Sequence, residues 1–195
     1  MEKTQQAFAD IGAYLDALAR DPGIAIVSKK MAGEALGLSR PAIDARIEEG
    51  RLAVVKIGKA RHVLALALIG HRQRQRETVA RIRTYLEEVA ADRSKVFYDP
   101  VMSLVDMSTK MPRDRTLIGA LLGDVSRATY GETATENGHG ILLSVLVHLK
   151  TGGTTRPSKP FFDLARELGF EWDDDDAFVA EQTARVWDAY ACHPN

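Results

Sequence analysis

The sequence predicts a mainly α-helical protein with short β elements, in which a small basic module is followed by a long helix and a small α-rich domain. Apolar residues recur at helical spacings along most of the chain, whereas only one stretch alternates as a β-strand does. The chain has 195 residues, of which 45% are hydrophobic and 27% charged. This balance is typical of a globular protein and excludes fibrous and fully disordered classes.

Charge is divided unevenly along the chain, although the formal total is only -1. Residues 28–76 carry eleven basic and four acidic side chains, and residues 96–195 carry nine basic and fifteen acidic ones. A basic segment attracts polyanions such as nucleic acid, and an acidic segment repels them. The near-zero total therefore conceals a basic module and an acidic half.

A first helix is predicted from Lys3 to Arg20, and Asp21-Pro22-Gly23 then ends it. Its apolar residues recur at spacings of three and four: Phe8, Ile11, Leu15 and Leu18. A short apolar strand from Ile24 to Val27 follows. We expect residues 1–23 to pack as an N-terminal helix.

Two short helices with a tight connection are predicted next. Ser28 is placed to cap the first, and Gly37 tolerates the left-handed backbone that ends it. Its apolar side is expected to consist of Met31, Ala32, Ala35 and Leu36. Leu38 is expected to plug the core between the helices.

The second short helix is predicted to be capped by Ser39 and to end at Gly50. Pro41 falls in the first turn, where its missing N–H costs nothing, and Ile43 and Ile47 share the inner face. The alternating stretch from Val54 to Val63 then predicts a hairpin that turns near Gly58.

A long connecting helix is predicted from Ala65 to about Arg93. Four of its apolar residues have coiled-coil spacing: Val79, Ile82, Leu86 and Val89. They span less than two heptads, and a coiled coil normally needs three or four. The stripe therefore leaves both a homodimer and a monomer open.

The acidic half is predicted to begin at Asp99-Pro100. We expect one or two helices between Val101 and Tyr130, an apolar strand from Ile141 to Leu149, and a loop from Thr151 to Pro160. Two closing helices are predicted, from Phe161 to Leu168 and from about Asp176 to Ala191. The predicted segments are thus an N-terminal helix (1–23), a basic module (24–70), a connecting helix (71–98) and an acidic α-rich domain (99–195).

Residues 27–69 resemble the excisionase-type, MerR-like winged helix-turn-helix domain. The matching residues in the two helices are Ala32, Ala35, Leu36, Gly37, Leu38, Ser39, Arg40, Ile43, Ile47, Gly50 and Leu52. The matching residues in the hairpin and after it are Val55, Ile57, Gly58, Arg61, Ala67 and Leu68. The resemblance implies double-stranded DNA as partner, a recognition helix at about 40–49 in the major groove, and a basic wing at about 54–63 on the backbone.

Twelve residues are the candidate DNA-binding set. With Ile43 and Ile47 turned inward, the outer face of the recognition helix holds Pro41, Ala42 and Ala45, flanked by Arg40 and Arg46. Lysine and arginine residues outside this helix are expected to contact phosphates: Lys29, Lys30, Arg51, Lys56, Lys59 and Arg61. Ser39, at the start of the helix, completes the set.

The sequence lacks the usual motifs of enzymes and of cofactor or metal sites. No phosphate-binding loop, dinucleotide fingerprint, nucleophile elbow or zinc-protease motif occurs, and the single cysteine, Cys192, excludes an intramolecular disulfide. The five histidines never fall at a paired ligand spacing, so we expect no metal and no cofactor. Ile141 to Phe170 resembles a domain of small uncharacterised bacterial and phage proteins, which implies no activity.

The sequence therefore predicts a sequence-specific DNA-binding protein, a bacterial or phage transcription regulator and not an enzyme. Two alternatives stay open: an adaptor or antitoxin-like protein whose acidic domain binds a protein partner, and a DNA-targeted enzyme with an unrecognised catalytic domain. The N-terminus has no secretory signal pattern, and the longest apolar run, Val63 to Gly70, is too short to span a bilayer. We expect a cytoplasmic protein.

Overall fold

A computed structural model describes residues 6–136, 138–151 and 154–191. Its described residues are mainly α-helical with short β elements, which confirms the predicted class. The chain divides into two compact units, Met1–Gln75 and Arg76–Asn195. None of the helices described is both long and apolar enough to cross a membrane.

The first unit contains a four-stranded sheet with helices on both faces. Its elements are β1 (Gln6–Phe8), α1 (Ile11–Arg20), a 3-10 helix (Pro22–Ile24), β2 (Ile26–Val27), α2 (Lys29–Leu36), α3 (Arg40–Glu48), β3 (Val54–Ile57) and β4 (Ala60–Leu64). Helix α4 (Ala65–Ala91) follows, and the boundary between the units falls within it. The two short helices, the hairpin and the long helix predicted from the sequence are all present.

Side chains alternate between the two faces of this sheet, whose strand order is β1-β3-β4-β2. Val54 lies opposite Val63 on one face, where both pack against residues of α2, α3 and the start of α4. Val55, on the other face, packs against Tyr14 of α1 and Ile24. The hairpin is therefore buried on both faces near its base.

The first helix is shorter than predicted. It begins at Ile11, because Asp10 caps it by accepting a hydrogen bond from the Ala13 amide at 2.9 Å. Residues 6–8, before it, form β1, which pairs in parallel with β3, and Lys3 lies outside the described residues. The buried face also differs from the prediction: Tyr14 is buried, whereas Ile11 and Leu15 are exposed. Pairing with the hairpin, a contact distant in sequence, overrides the local helical pattern.

The second unit combines helices with a three-stranded sheet of order β5-β6-β7. Its elements after α4 are β5 (Val96–Phe97), α5 (Tyr98–Leu104), α6 (Pro112–Thr133), a 3-10 helix (Leu143–Leu146), β6 (Val147–Thr151), β7 (Thr154–Arg156), α7 (Lys159–Glu167) and α8 (Asp175–Tyr190). The two closing helices lie within two residues of their predicted bounds. The predicted strand from Ile141 to Leu149 is wrong in its first half, which contains the 3-10 helix.

Three hydroxyl side chains of α6 explain that difference. The Thr133 hydroxyl accepts a hydrogen bond from the Ile141 amide at 2.8 Å, Thr129 donates to the Ile141 carbonyl at 3.1 Å, and Ser126 accepts from the Ser144 amide at 3.0 Å. A buried segment without strand partners needs other partners for its backbone groups. Here α6 supplies them.

The apolar stripe of α4 belongs to the core of the second unit. Ile82 and Leu86 are fully buried, Val89 is nearly so, and Val79 packs against the same core. These residues therefore pack within their own chain, and the stripe is not an exposed surface on which a coiled coil could form.

Replacing Thr129 by valine should lower the free energy of unfolding of the second unit by about 1–3 kcal/mol, because the Ile141 carbonyl loses a buried partner. Both tryptophans, Trp172 and Trp187, lie in this unit, so urea unfolding followed by tryptophan fluorescence measures the change. Thr116→Val, at an exposed position of the same helix, is the control, and we expect it to stay within about 0.5 kcal/mol. Equal losses in the two variants would contradict this role of Thr129.

Candidate nucleic-acid interface

Helix α2 is held in place by caps at both of its ends. The Ser28 hydroxyl accepts a hydrogen bond from the Met31 amide at 3.1 Å, as predicted. At the other end Gly37 adopts the left-handed backbone with φ of 62°, and the Leu38 amide bonds to the Gly33 carbonyl at 2.9 Å. The chain thereby reverses within three residues and enters α3.

The inner side of α2 is narrower than predicted. Ala32 is fully buried and Leu36 packs beside it, but Met31 is 56% exposed and Ala35 is also exposed. Gly33 lies on the buried side instead. A Cβ atom at this position would lie only 2.7 Å from the Leu38 carbonyl oxygen. The turn can approach α2 this closely only because residue 33 has no side chain.

Helix α3 is anchored by Ile43 and Ile47, which are both buried as predicted. Pro41 lies in its first turn. Ser39 occupies the N-cap position, but its side chain makes no capping hydrogen bond, which corrects the prediction for this residue. The first turn of α3 is thus closed by backbone alone, through the Ile43 amide and the Ser39 carbonyl at 3.0 Å.

The opposite side of α3 is open to solvent and formed by small residues. Pro41 and Ala45 are exposed and Ala42 is half-buried. Arg40 is exposed, and Arg46 is half-buried. A helix surface of this kind lets the backbone approach a flat or grooved partner closely, with an arginine on either flank.

The hairpin presents its cations on the same face of the sheet that α3 packs against. Lys56 lies opposite Arg61 across the two strands, two residues beyond the Val54–Val63 pair on that face. The Arg61 guanidinium reaches Glu48 at the end of α3, at 2.6 Å. Lys59 is exposed at the turn, and the neighbouring Gly58 amide donates to the Phe8 carbonyl at 3.0 Å. Strand β1 therefore steadies the hairpin tip.

Half of the predicted cations have acidic partners. The pairs are Lys29–Asp44 at 2.5 Å, Lys30–Glu34 at 3.9 Å, Arg51–Glu49 at 3.0 Å and Arg61–Glu48 at 2.6 Å. Within the described parts of the chain, the other four predicted cations have no ion pair: Arg40, Arg46, Lys56 and Lys59. These four carry the uncompensated positive charge of the candidate set.

Asp44 lies close to several of the cations of this surface. The hydrogen bond from Lys29 lowers the pKa of its carboxyl below the ordinary value of 3.8, and the charges of Lys29, Arg40 and Arg61 act in the same direction. The hydrogen bond to Glu48 likewise raises the pKa of Arg61. Asp44 and Arg61 are therefore both charged at neutral pH. Neither Asp44 nor Glu48 is among the DNA-binding residues predicted from the sequence, although both lie within the predicted recognition helix.

An open cleft of about 460 Å³ connects the start of α2 with the start of α3. It is lined by Lys29, Lys30, Gly33, Glu34, Gly37, Leu38 and Arg40. Three of the predicted DNA-binding residues thus line one concave surface. The structure brings together the helix residues and the cations of α2, while Arg51 lies after α3 and pairs with its neighbour Glu49.

The acidic run from Asp173 to Asp176 has a structural role. The Asp174 carboxylate accepts hydrogen bonds from the amides of Asp176 and Ala177 and thereby caps α8. Asp175 accepts from the Trp172 indole at 2.7 Å. Among the residues that the structure describes, no cluster of three or more His, Cys, Asp or Glu side chains is placed to hold a metal ion. Cys192 and His193 lie outside the described residues.

Comparisons of this chain with protein-family models, with curated proteins and with solved structures found no match. The chemistry of the candidate site accordingly rests on its own geometry.

Gly33→Ala should destabilise the two-helix unit α2–α3, because the new Cβ would meet the Leu38 carbonyl oxygen at 2.7 Å. We expect faster amide exchange across residues 29–48, measured by hydrogen-exchange mass spectrometry. Gly119→Ala is the matched control: it lies inside α6, and a Cβ there meets no atom within 4 Å. This control should stabilise its helix by about 0.5–1 kcal/mol. Similar exchange in wild type and Gly33→Ala would contradict the close approach.

The Lys29–Asp44 pair also predicts that the stability of the fold depends on pH. Because the folded pKa of Asp44 is lowered, the pair stabilises the fold above the unfolded pKa, and this contribution is lost as the pH falls through the folded value. An NMR titration of the Asp44 carboxyl carbon should give a midpoint below 3.8 in the wild type. Lys29→Met should raise that midpoint. Equal midpoints in the two proteins would show that Lys29 does not stabilise the Asp44 carboxylate.

Proposed function

We propose that the first unit is a sequence-specific DNA-binding module, in which α3 enters the major groove and the β3–β4 hairpin contacts the phosphate backbone. The observation that carries the proposal is the open face of α3, which has small residues at its centre, Arg40 and Arg46 on its flanks, and unpaired lysines on the adjoining hairpin. Alanine can contact a thymine methyl group, and arginine can bond bidentately to guanine.

Rigidity of the surface supports the same proposal. Base recognition requires side chains that are placed before the partner arrives, and α3 is fixed by Ile43 and Ile47 inside and by Asp44 and Glu48 at its sides. The hairpin tip is tied to β1 through Gly58. Docking would therefore cost little conformational entropy.

The acidic charge of the second unit supports a role for it in binding protein, distinct from the DNA-binding role of the first unit. Residues 76–195 carry fourteen basic and nineteen acidic side chains, which suits a protein partner better than a polyanion. We propose that the protein is a cytoplasmic transcription regulator of bacterial or phage type, whose second unit binds another protein or a second copy of the chain. In a homodimer, two copies of α3 would read a palindromic site.

A salt titration of DNA binding tests the proposal quantitatively. If Arg40 and Arg46 contact bases and only the unpaired Lys56 and Lys59 contact phosphates, log affinity should fall against log salt with a slope of about -2. If the four paired cations also exchanged their carboxylates for phosphates, the slope would approach about -5. Fluorescence anisotropy of a labelled duplex from 50 to 300 mM salt measures it. A slope near zero would overturn the proposal.

Arg40→Ala and Arg46→Ala should each weaken binding to a selected site about tenfold or more, since each removes one flanking base contact. Arg20→Ala, on α1 of the same unit, removes an equal charge away from this surface and should change affinity little. Cleavage of the duplex with added divalent metal would instead support the enzyme alternative. Copurification of a stoichiometric basic protein that abolishes DNA binding would support the adaptor alternative.

A further inference from the structure

Two carboxylates share one flank of the candidate recognition helix. Asp44 and Glu48 are four residues apart on α3, so their side chains lie on neighbouring turns of the same face. With Ile43 and Ile47 pointing inward, a rotation of about 100° per residue places both carboxylates between the buried face and Ala45. Both are accessible, with side-chain exposures of 43% and 65%.

Each carboxylate is held by a cation from a different element. Lys29 at the start of α2 donates to Asp44 Oδ1 at 2.5 Å, and Arg61 of β4 donates to Glu48 Oε1 at 2.6 Å. The second oxygens, Asp44 Oδ2 and Glu48 Oε2, make no hydrogen bond to any residue that the structure describes. Each group is therefore oriented through one oxygen and has an acceptor left over.

The cations also remove the electrostatic objection to acidic groups in a DNA interface. An isolated carboxylate is repelled by phosphates, but Asp44 with Lys29 and Glu48 with Arg61 each form a neutral pair. A carboxylate accepts hydrogen bonds and donates none. In the major groove, the amino group N4 of cytosine is the donor that Asp and Glu characteristically recognise.

We propose that Asp44 and Glu48 are specificity-determining residues, which accept hydrogen bonds from the exocyclic amino groups of two cytosines in the major groove. The inference rests on the proposed function and adds the base identity that it lacks. Cβ atoms at this spacing lie about 6 Å apart, which corresponds to roughly two base-pair steps of 3.4 Å. The DNA site is therefore expected to contain two cytosines at about that separation.

A purely structural role for the same ion pairs makes a different prediction. If Lys29–Asp44 and Arg61–Glu48 only hold α3 against α2 and β4, then removing a carboxylate changes stability, or changes affinity for every sequence equally. If the carboxylates read bases, their removal changes which base is preferred at one position. Base preference therefore separates the two roles where affinity alone does not.

Selection of binding sites from a randomised duplex library, sequenced for the full-length wild type and for variants, provides the test. Asp44→Asn should replace cytosine by adenine at one position, because an asparagine amide pairs with adenine N6 and N7. Glu48→Gln should make the same exchange at the second position. Each variant should bind the wild-type site roughly 5- to 100-fold more weakly than its own selected site.

Asp163→Asn is the matched control, because Asp163 is an ion-paired carboxylate on α7 of the second unit whose loss changes the charge by the same amount. It should leave base preference unchanged. Asp44→Glu keeps the charge but moves the carboxylate, and it should weaken the selected site while binding unrelated DNA as the wild type does. This variant gives a second test should Asp44→Asn melt at a lower temperature.

The outcomes are distinct. If Asp44→Asn and Glu48→Gln raise affinity for all sequences alike and the selected motif is unchanged, the carboxylates do not read bases and the inference is wrong, while the proposed function stands. If the folded wild type enriches no sequence and binds no duplex, the proposed function itself fails and the inference falls with it. A shift confined to one position in each variant supports both.

Discussion

The alternation of side chains along β3 and β4 is the constraint on which the rest of the first unit depends. Val54 and Val63 turn to one face and pack with α2 and α3, while Val55 turns to the other and packs with α1. A shift of one residue would exchange the two faces, so that Val55 would turn toward α2 and α3 and Lys56 toward α1. The same alternation places Lys56 and Arg61 beside α3. The hairpin therefore positions both the core and the charged surface.

Ion pairing decides how the basic charge of the module can be used. Eight of the candidate residues are cations, but four of them already have carboxylate partners. Exposed pairs of this kind contribute little to stability, because water and salt screen their charges. Their larger effect is on geometry, because they orient side chains of α3 and reduce the charge offered to a polyanion. Net charge along the sequence thus overstates the number of available phosphate contacts.

Local signals were reliable where a single residue controls the backbone. Ser28 caps α2 and Gly37 ends it with a positive φ, both as predicted. Ser39 differs from these residues, because it lies at the N-cap of α3 but its hydroxyl makes no capping hydrogen bond. A capping residue type predicts where a helix begins, whereas the hydrogen bond depends on the rotamer that the surroundings favour.

The sequence by itself determined the mainly α class and the order of the elements from β2 to α4. It also determined the burial of Ile43 and Ile47 and the small residues on the outer face of α3. These features follow from periodicity and residue type over short distances along the chain. Only the tertiary structure decided the pairing of β1 with β3, the burial of the α4 stripe in the second unit, and the cation partners of Asp44 and Glu48. Those features join residues that are distant along the chain, and local patterns carry no information about which distant groups meet.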